Sequence, residues 1–199
     1  MSARKGKFIV FEGLDGSGKS AQIELFIKYL TEHRHDVLQT EEPTSRGESP
    51  FSDEIDDVLK HKKSLTPKEL QELFVKDRKW HVEQVIIPAL DAGKTVVSDR
   101  YLFSTVAFGS LNLDVEWLKQ INEPFPIPDL TFIFIARPEV CLQRITKNGR
   151  ELELFEKTEK LRKAGEIYAK MPEWYPNVYL IDGERSVEEI HKEVINLSK

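Results

Sequence analysis

Phe8-Ile9-Val10-Phe11-Glu12-Gly13-Leu14-Asp15-Gly16-Ser17-Gly18-Lys19-Ser20 decides how this chain is read. Phe8 to Phe11 is a run of β-branched and aromatic residues, the content of a buried strand. Gly13 to Ser20 then matches the spacing G-x-x-x-x-G-K-[ST], in which glycines let successive backbone N–H groups turn inward on a phosphate chain. Ile23, Phe26, Ile27 and Leu30 follow as one helical stripe, so the loop sits between a strand and a helix. In that context the helix N-terminus adds positive potential, Lys19 reaches the β and γ oxygens of a nucleotide, and the Ser20 hydroxyl ligates magnesium. A turn that merely capped a helix would not need Lys19 followed by Ser20. Gly13, Leu14, Asp15, Gly16, Ser17, Gly18, Lys19 and Ser20 are therefore read as a cradle for the phosphate chain of a nucleotide.

Outward from this segment, short β-rich runs alternate with longer helix-period segments. Strands are expected at Lys7–Glu12, Val37–Thr40, Thr95–Ser98, Leu130–Ala136 and Asn177–Ile181, all with the near-continuous apolar content of buried strands. Thr66-Pro67-Lys68-Glu69 is a capping box that opens a long helix running toward Leu90, with Pro88 expected to limit its end. Ser186 and Glu189 form a second box before the stripe Val187, Ile190, Val194 and Leu197. Pro124, Pro126 and Pro128 make residues 122–129 an extended connection. The pattern predicts an α/β fold, a five-stranded parallel sheet with helices on both faces. At 199 residues it predicts one domain, 1–199, with a small lid at about 147–156, where Gly149 interrupts a charged helical neighbourhood.

Composition narrows the class. Hydrophobic residues make up 40% and charged residues 32%, which argues against disorder. A net charge of −5 gives no general attraction for nucleic acid or anionic membrane, so neither is expected as a partner. No apolar stretch approaches membrane-spanning length. Cys141 is the only cysteine; it shares an expected helix with Leu142 and Ile145 and is expected in the core, and without disulfides a reducing, cytoplasmic location is expected.

The residues for an acceptor lie where α/β proteins bind ligands, beyond the carboxyl ends of strands. In Ser98-Asp99-Arg100-Tyr101, Arg100 is placed to fork onto a phosphate and Asp99 to organise magnesium or its waters. On the long helix, Leu70, Phe74, Arg78, His81 and Val85 share one face. The stripe begins apolar and turns polar, as expected of a face that leaves the core to line a pocket. Phe74 offers a ring to a base, Arg78 donors to a base carbonyl, and His81 is read as structural. No base-reading or water-positioning element of a GTPase and no motor signature stands in the sequence, which leaves a small kinase with a small-molecule acceptor.

With these residues in view, the chain resembles the thymidylate kinase family over nearly its whole length. The resemblance rests on Phe8–Glu12 leading into Gly13–Ser20, on Glu42-Pro43-Thr44, on Phe74 with Arg78 and His81, on Asp99-Arg100-Tyr101, on Ser104 with Ala107-Phe108, and on Pro128-Asp129-Leu130. It implies ATP with Mg2+ as donor, dTMP as acceptor, and a homodimer. It also implies that Phe74 stacks on thymine, Arg78 contacts its carbonyl, and Arg100 holds the acceptor phosphate near Ser104. Asp15 would sit near the sugar hydroxyl or magnesium, and Phe108 under the deoxyribose, excluding a ribose 2′-hydroxyl.

Departures are specific. Glu41 stands where the family often has Arg before Glu-Pro, with Arg46 as a candidate substitute. Gly16 stands where some members carry a basic residue, and Glu153-Leu154 precedes Phe155-Glu156 where the lid usually has Asp-Arg. Of the basic residues around the lid, Arg144, Lys147 and Arg150, the catalytic cation is expected from Arg150 first and Arg144 second. A deoxynucleoside kinase, another nucleoside monophosphate kinase and a catalytically silent nucleotide-binding regulator remain alternatives at this stage.

Overall fold

In the computed structural model, residues 6–145 and 151–199 are described, the latter from 158 onward with side chains. Five strands form one parallel sheet: β1 (Phe8–Gly13), β2 (Val37–Glu41), β3 (Thr95–Asp99), β4 (Leu130–Ile135) and β5 (Val178–Asp182). Their order across the sheet is β2-β3-β1-β4-β5. The phosphate-loop strand is thus central, with Phe11 opposite Asp99 on one side and Phe132 on the other.

Alternation along β1 feeds two cores. Phe8 and Val10 face one cluster, with Val96, Tyr101, Val106, Ile133 and Tyr168. Ile9 and Phe11 face the other, where α1 (Lys19–Glu32) and α9 (Val187–Ser198) lay down Ile23, Phe26, Leu30, Ile190 and Val194. Phe11 packs on Phe132 with ring centroids 5.3 Å apart and Phe8 meets Tyr101 edge-on at 5.0 Å, contacts each worth about 0.5–1.5 kcal/mol beyond area burial. Pro128-Asp129 has a structural part: the Asp129 carboxylate accepts the Phe8 N–H at 2.7 Å, tying the entry of β4 to β1.

Two expectations are corrected. β1 is buried throughout and β3 and β4 over most of their length; β2 and β5 are sheet edges, half-buried or exposed at every position except the buried Ile181. Pro88 does not end the long helix: α3 (Pro67–His81) continues through a π turn, Val82–Ile86, into α4 (Ile87–Asp91). Ile87 donates to Val82 five residues back, which widens the turn just ahead of the proline ring and removes the clash an α turn would impose. Cys141 is buried as expected, next to buried Leu142 on α7 (Pro138–Ile145), while Ile145 at the end of that helix is 52% exposed. The remaining helices are α2 (Ser52–Leu59), α5 (Leu102–Gly109), α6 (Val115–Asn122) and α8 (Glu151–Trp174). From Glu151 the segment expected as a lid is already helical backbone. No helix among the described residues is long and apolar enough to cross a membrane.

Candidate active site

The loop expected to cradle phosphate is shaped by its backbone. Gly13, Gly16 and Gly18 take φ of +138°, +81° and +99°, the left-handed region open to glycine, and Lys19 begins α1. Gly16 is fixed by space as well: a Cβ there would lie 2.4 Å from the Cys141 carbonyl oxygen. That explains the missing basic residue, since no side chain fits between this loop and α7. Leu14 anchors the loop in the core, and Ser17 is buried beneath it with its Oγ lacking a hydrogen-bond partner among the described residues. Arg144 clamps the outer side, donating to the carbonyl oxygens of Gly16 at 3.1 Å and Gly183 at 3.0 Å. A cavity of about 400 Å³ opens here, lined by Gly16, Gly18, Lys19, Ser20 and Arg144 among others. Lys147 and Arg150 lie outside the described residues.

The tips of β1 and β3 join donor and acceptor sides. The Lys19 ammonium pairs with Asp99, and Arg100 donates to Asp15 at 2.5 Å and to Ser104 Oγ at 3.0 Å. Arg100 holds a φ of +70°, unusual for a residue with a long side chain and costly by about 1–3 kcal/mol. Its N–H on Phe11 at 2.9 Å and its carbonyl under Ser98 Oγ at 2.8 Å keep it there. Beneath it sits Glu12, wholly buried, accepting from the N–H groups of Tyr101 at 2.7 Å and Ser104 at 3.2 Å and from the hydroxyls of Ser104 at 2.7 Å and Tyr168 at 2.8 Å. Burial pushes the Glu12 carboxyl above its ordinary range against the pull of Arg100 and these donors. Burial and the neighbouring Glu12 also push the Tyr168 hydroxyl well up, so it stays a donor.

The acceptor side is an apolar cavity of about 520 Å³ between α3 and α5. Phe74 and Phe108 both line it, and Arg100 lies over the Phe108 ring at 5.4 Å. The stripe on α3 runs opposite to its expected burial: Leu70 and Phe74 are half-open to the cavity, while Arg78 and His81 are 3% and 1% exposed. Partners from other elements account for this. Arg78 donates from Nε to Glu42 at 2.7 Å, from Nη1 to Asn122 and from Nη2 to Thr105 at 3.0 Å, with Tyr101 and Phe125 rings flanking it. Those bonds use three of its five N–H groups. His81 spans Thr40 at 2.6 Å and Glu42 at 3.1 Å. One turn away, Asp77 accepts the Thr44 N–H at 2.9 Å, its hydroxyl at 2.6 Å and the Ser49 hydroxyl, so the loop after β2 is pinned to α3.

A third cavity, about 440 Å³, lies between the other two and is lined by Lys19, Ser20, Asp99 and Arg100. Asp15 lines all three. Arg46 reaches this middle cavity, with its Nη1 on Asp56 at 2.7 Å and Asp57 at 3.0 Å of α2. Sequence reasoning quoted Glu12 and Glu42 within motifs but gave them no role, and it missed Asp77, Thr105, Asn122 and Tyr168. Glu12 carried a signal of its own, an acidic residue interrupting the most apolar strand.

The thymidylate kinase family model matches residues 11–194. The chain is similar to a thymidylate kinase of Desulfotalea psychrophila, 38% identical over 98% of this chain and 95% of that one. Its fold is similar to the crystal structure of the Ehrlichia chaffeensis thymidylate kinase, with a TM-score of 0.77, 24% identity, and coverage of 98% and 99% of the two chains. From the loop at the tip of β1 to the capped last helix, the chain belongs to the thymidylate kinase family.

Proposed function

We propose that the chain phosphorylates dTMP to dTDP with ATP and magnesium, using Lys19, Asp99, Arg100 and Asp15 where the donor and acceptor cavities meet. The observation that carries this reading is the continuity of the three cavities past Asp15, with Lys19 on the donor side and Arg100 on the acceptor side. An acceptor that already carries a phosphate suits the Arg100 cation, and a base suits the gap beside Phe74 and Arg78. Glu12, the acid bonded to Ser104, is saturated by four donors, as befits a positioning group rather than a base for a hydroxyl acceptor.

The residues fit the cofactor. Ser20 and Asp99 present hydroxyl and carboxylate oxygens to one cavity, the hard donors magnesium takes, and the unmet Ser17 hydroxyl lies within the glycine cradle. Magnesium, when bound, neutralises charge on the β and γ oxygens. In the proposed mechanism the loop N–H groups and the N-terminus of α1 hold the polyphosphate, and Lys19 exchanges its contact with Asp99 for the transferring group. Arg100 aims the acceptor phosphate, and Phe74 with Phe108 exclude water from the apolar side. Arg144 or Arg150 supplies the further cation.

A homodimer in a cytoplasmic setting completes the proposal, and so does the one-domain organisation; light scattering of the purified chain should give twice its mass. An ADP-release assay with dTMP, thymidine and purine monophosphates tests the activity. Turnover with dTMP well above the others is expected; preference for thymidine or for purine nucleotides would sink the reading.

A further inference from the structure

Gln71 is 7% exposed, lines the acceptor cavity, and leaves its Oε1 without a hydrogen-bond partner among the described residues. An unmet buried carbonyl costs on the order of 1–3 kcal/mol, so its persistence here calls for a partner that arrives later. Its placement identifies the partner. Gln71, Phe74 and Arg78 follow one another on α3 at steps of three and four, so they share a face with the Phe74 ring in the middle. Across the cavity α5 answers in register: Thr105 accepts from Arg78, and Gly109 lies against Gln71. A Cβ on Gly109 would come within 3.3 Å of the Gln71 Cδ and 2.7 Å of a Leu118 methyl. Glycine at this point leaves the slot in which the carboxamide lies.

We infer that Gln71 reads the pyrimidine edge of the acceptor, its carboxamide taking the base N3–H and the carbonyl that Arg78 does not hold. The inference rests on the functional reading above and adds the residue that recognises the base. A carboxamide presents one acceptor and one donor side by side, which is the pattern of a thymine N3–H next to a carbonyl. With Arg78 donating to the other carbonyl, a cytosine amino group would meet a donor, and a purine would overrun the slot between α3 and Gly109. The base is thus gripped at both ends of the Phe74 ring by residues two turns apart on one helix.

The test compares the full chain with Gln71→Met, an unbranched apolar replacement, using dTMP and N3-methyl-dTMP as probes. For the parent, kcat/KM for the methylated probe should be about 10-fold or more below that for dTMP. In Gln71→Met, the dTMP KM should rise by about 10-fold or more, and the two probes should become equivalent within about twofold. The kcat and the ATP KM should hold, and the thermal midpoint should not fall, because an unmet amide has been replaced by an apolar chain. An unchanged dTMP KM overturns the inference while leaving the dTMP kinase reading intact. A lowered midpoint with a matching change in ATP KM would make Gln71 merely structural and overturns it too. If the variant fails to fold, the parent still decides, since indifference to N3 methylation excludes the contact and strong discrimination supports it. A parent that turns over no dTMP overturns both readings.

Discussion

The donor and acceptor halves of this site are built in opposite ways. Between Gly13 and Ser20 the groups proposed to hold a polyphosphate belong to consecutive residues, and they are backbone N–H groups shaped by glycine φ angles. On the acceptor side the groups are side chains from six elements, and the bond from Tyr168 to Glu12 spans 156 residues of sequence. A backbone site depends on a few glycines and one cation. A side-chain site depends on a buried network in which each polar group needs its neighbour, because an orphaned partner costs about 1–3 kcal/mol. The two halves should therefore fail differently: the donor half in rate, the acceptor half in affinity and stability.

The largest effect expected is on rate. Lys19→Ala should lower kcat by about 10²–10³-fold with the thermal midpoint nearly kept, since it deletes the charge that the proposed mechanism places on the transferring group. A small kinetic effect with a large drop in stability would reverse the comparison. Next comes Arg100, where removing the guanidinium should raise the dTMP KM by at least about 30-fold. Arg100→Gly and Arg100→Ala should share that loss, yet calorimetry should find the glycine variant more stable, because φ of +70° strains alanine and not glycine. Equal stability would mean that the backbone there is not strained.

Smaller effects sharpen the acceptor half. Asp77→Ala leaves the Thr44 N–H and two hydroxyls without their acceptor, so urea unfolding should show a loss of about 2–4 kcal/mol with the ATP KM unmoved. Glu12 adds a pH signature. Its carboxyl is raised in the folded chain, so the native state keeps a proton that the unfolded chain releases near its ordinary value of 4.5. The associated stability is complete below that value and is lost as pH rises through the folded pKa. Thermal midpoints against pH should thus slope less in Glu12→Gln over that window; parallel curves would remove Glu12 as the cause. The smallest effect is at the surface, where the Arg137 guanidinium holds Glu184 down to about 2. This contribution is present above pH 4.5 and fades as pH falls toward 2, so Glu184→Gln should blunt only the acid limb of the same curves.

The same contrast governs what was legible in the sequence. The strands could be placed within a residue or two because each is a short apolar run between turn signals, and the donor loop because its residues are contiguous. The caps at Thr66 and Ser186 also follow from spacing alone, and both form with the expected glutamates. The burial of the α3 stripe could not be read, since Arg78 is inward only because Glu42, Asn122 and Thr105 arrive from three other segments. Pro88 misled for a related reason: a π turn, which no local rule announces, carries the helix past it. Gly16 reads in sequence as a missing cation and in structure as a point of contact with Cys141, a residue 125 positions away.

The most direct test of the two-sided site follows the phosphoryl group itself. ATP radiolabelled at the γ position is mixed with excess chain and dTMP, quenched within one turnover, and the products are separated. The account predicts that the label appears in dTDP in the parent, appears more slowly in Lys19→Ala at saturating substrates, and returns to the parental rate in Arg100→Gly once dTMP is raised well above its weakened KM. Label released as inorganic phosphate in the parent, or an Arg100→Gly rate that stays low at any dTMP concentration, would contradict a division of labour between a rate-setting donor half and an affinity-setting acceptor half.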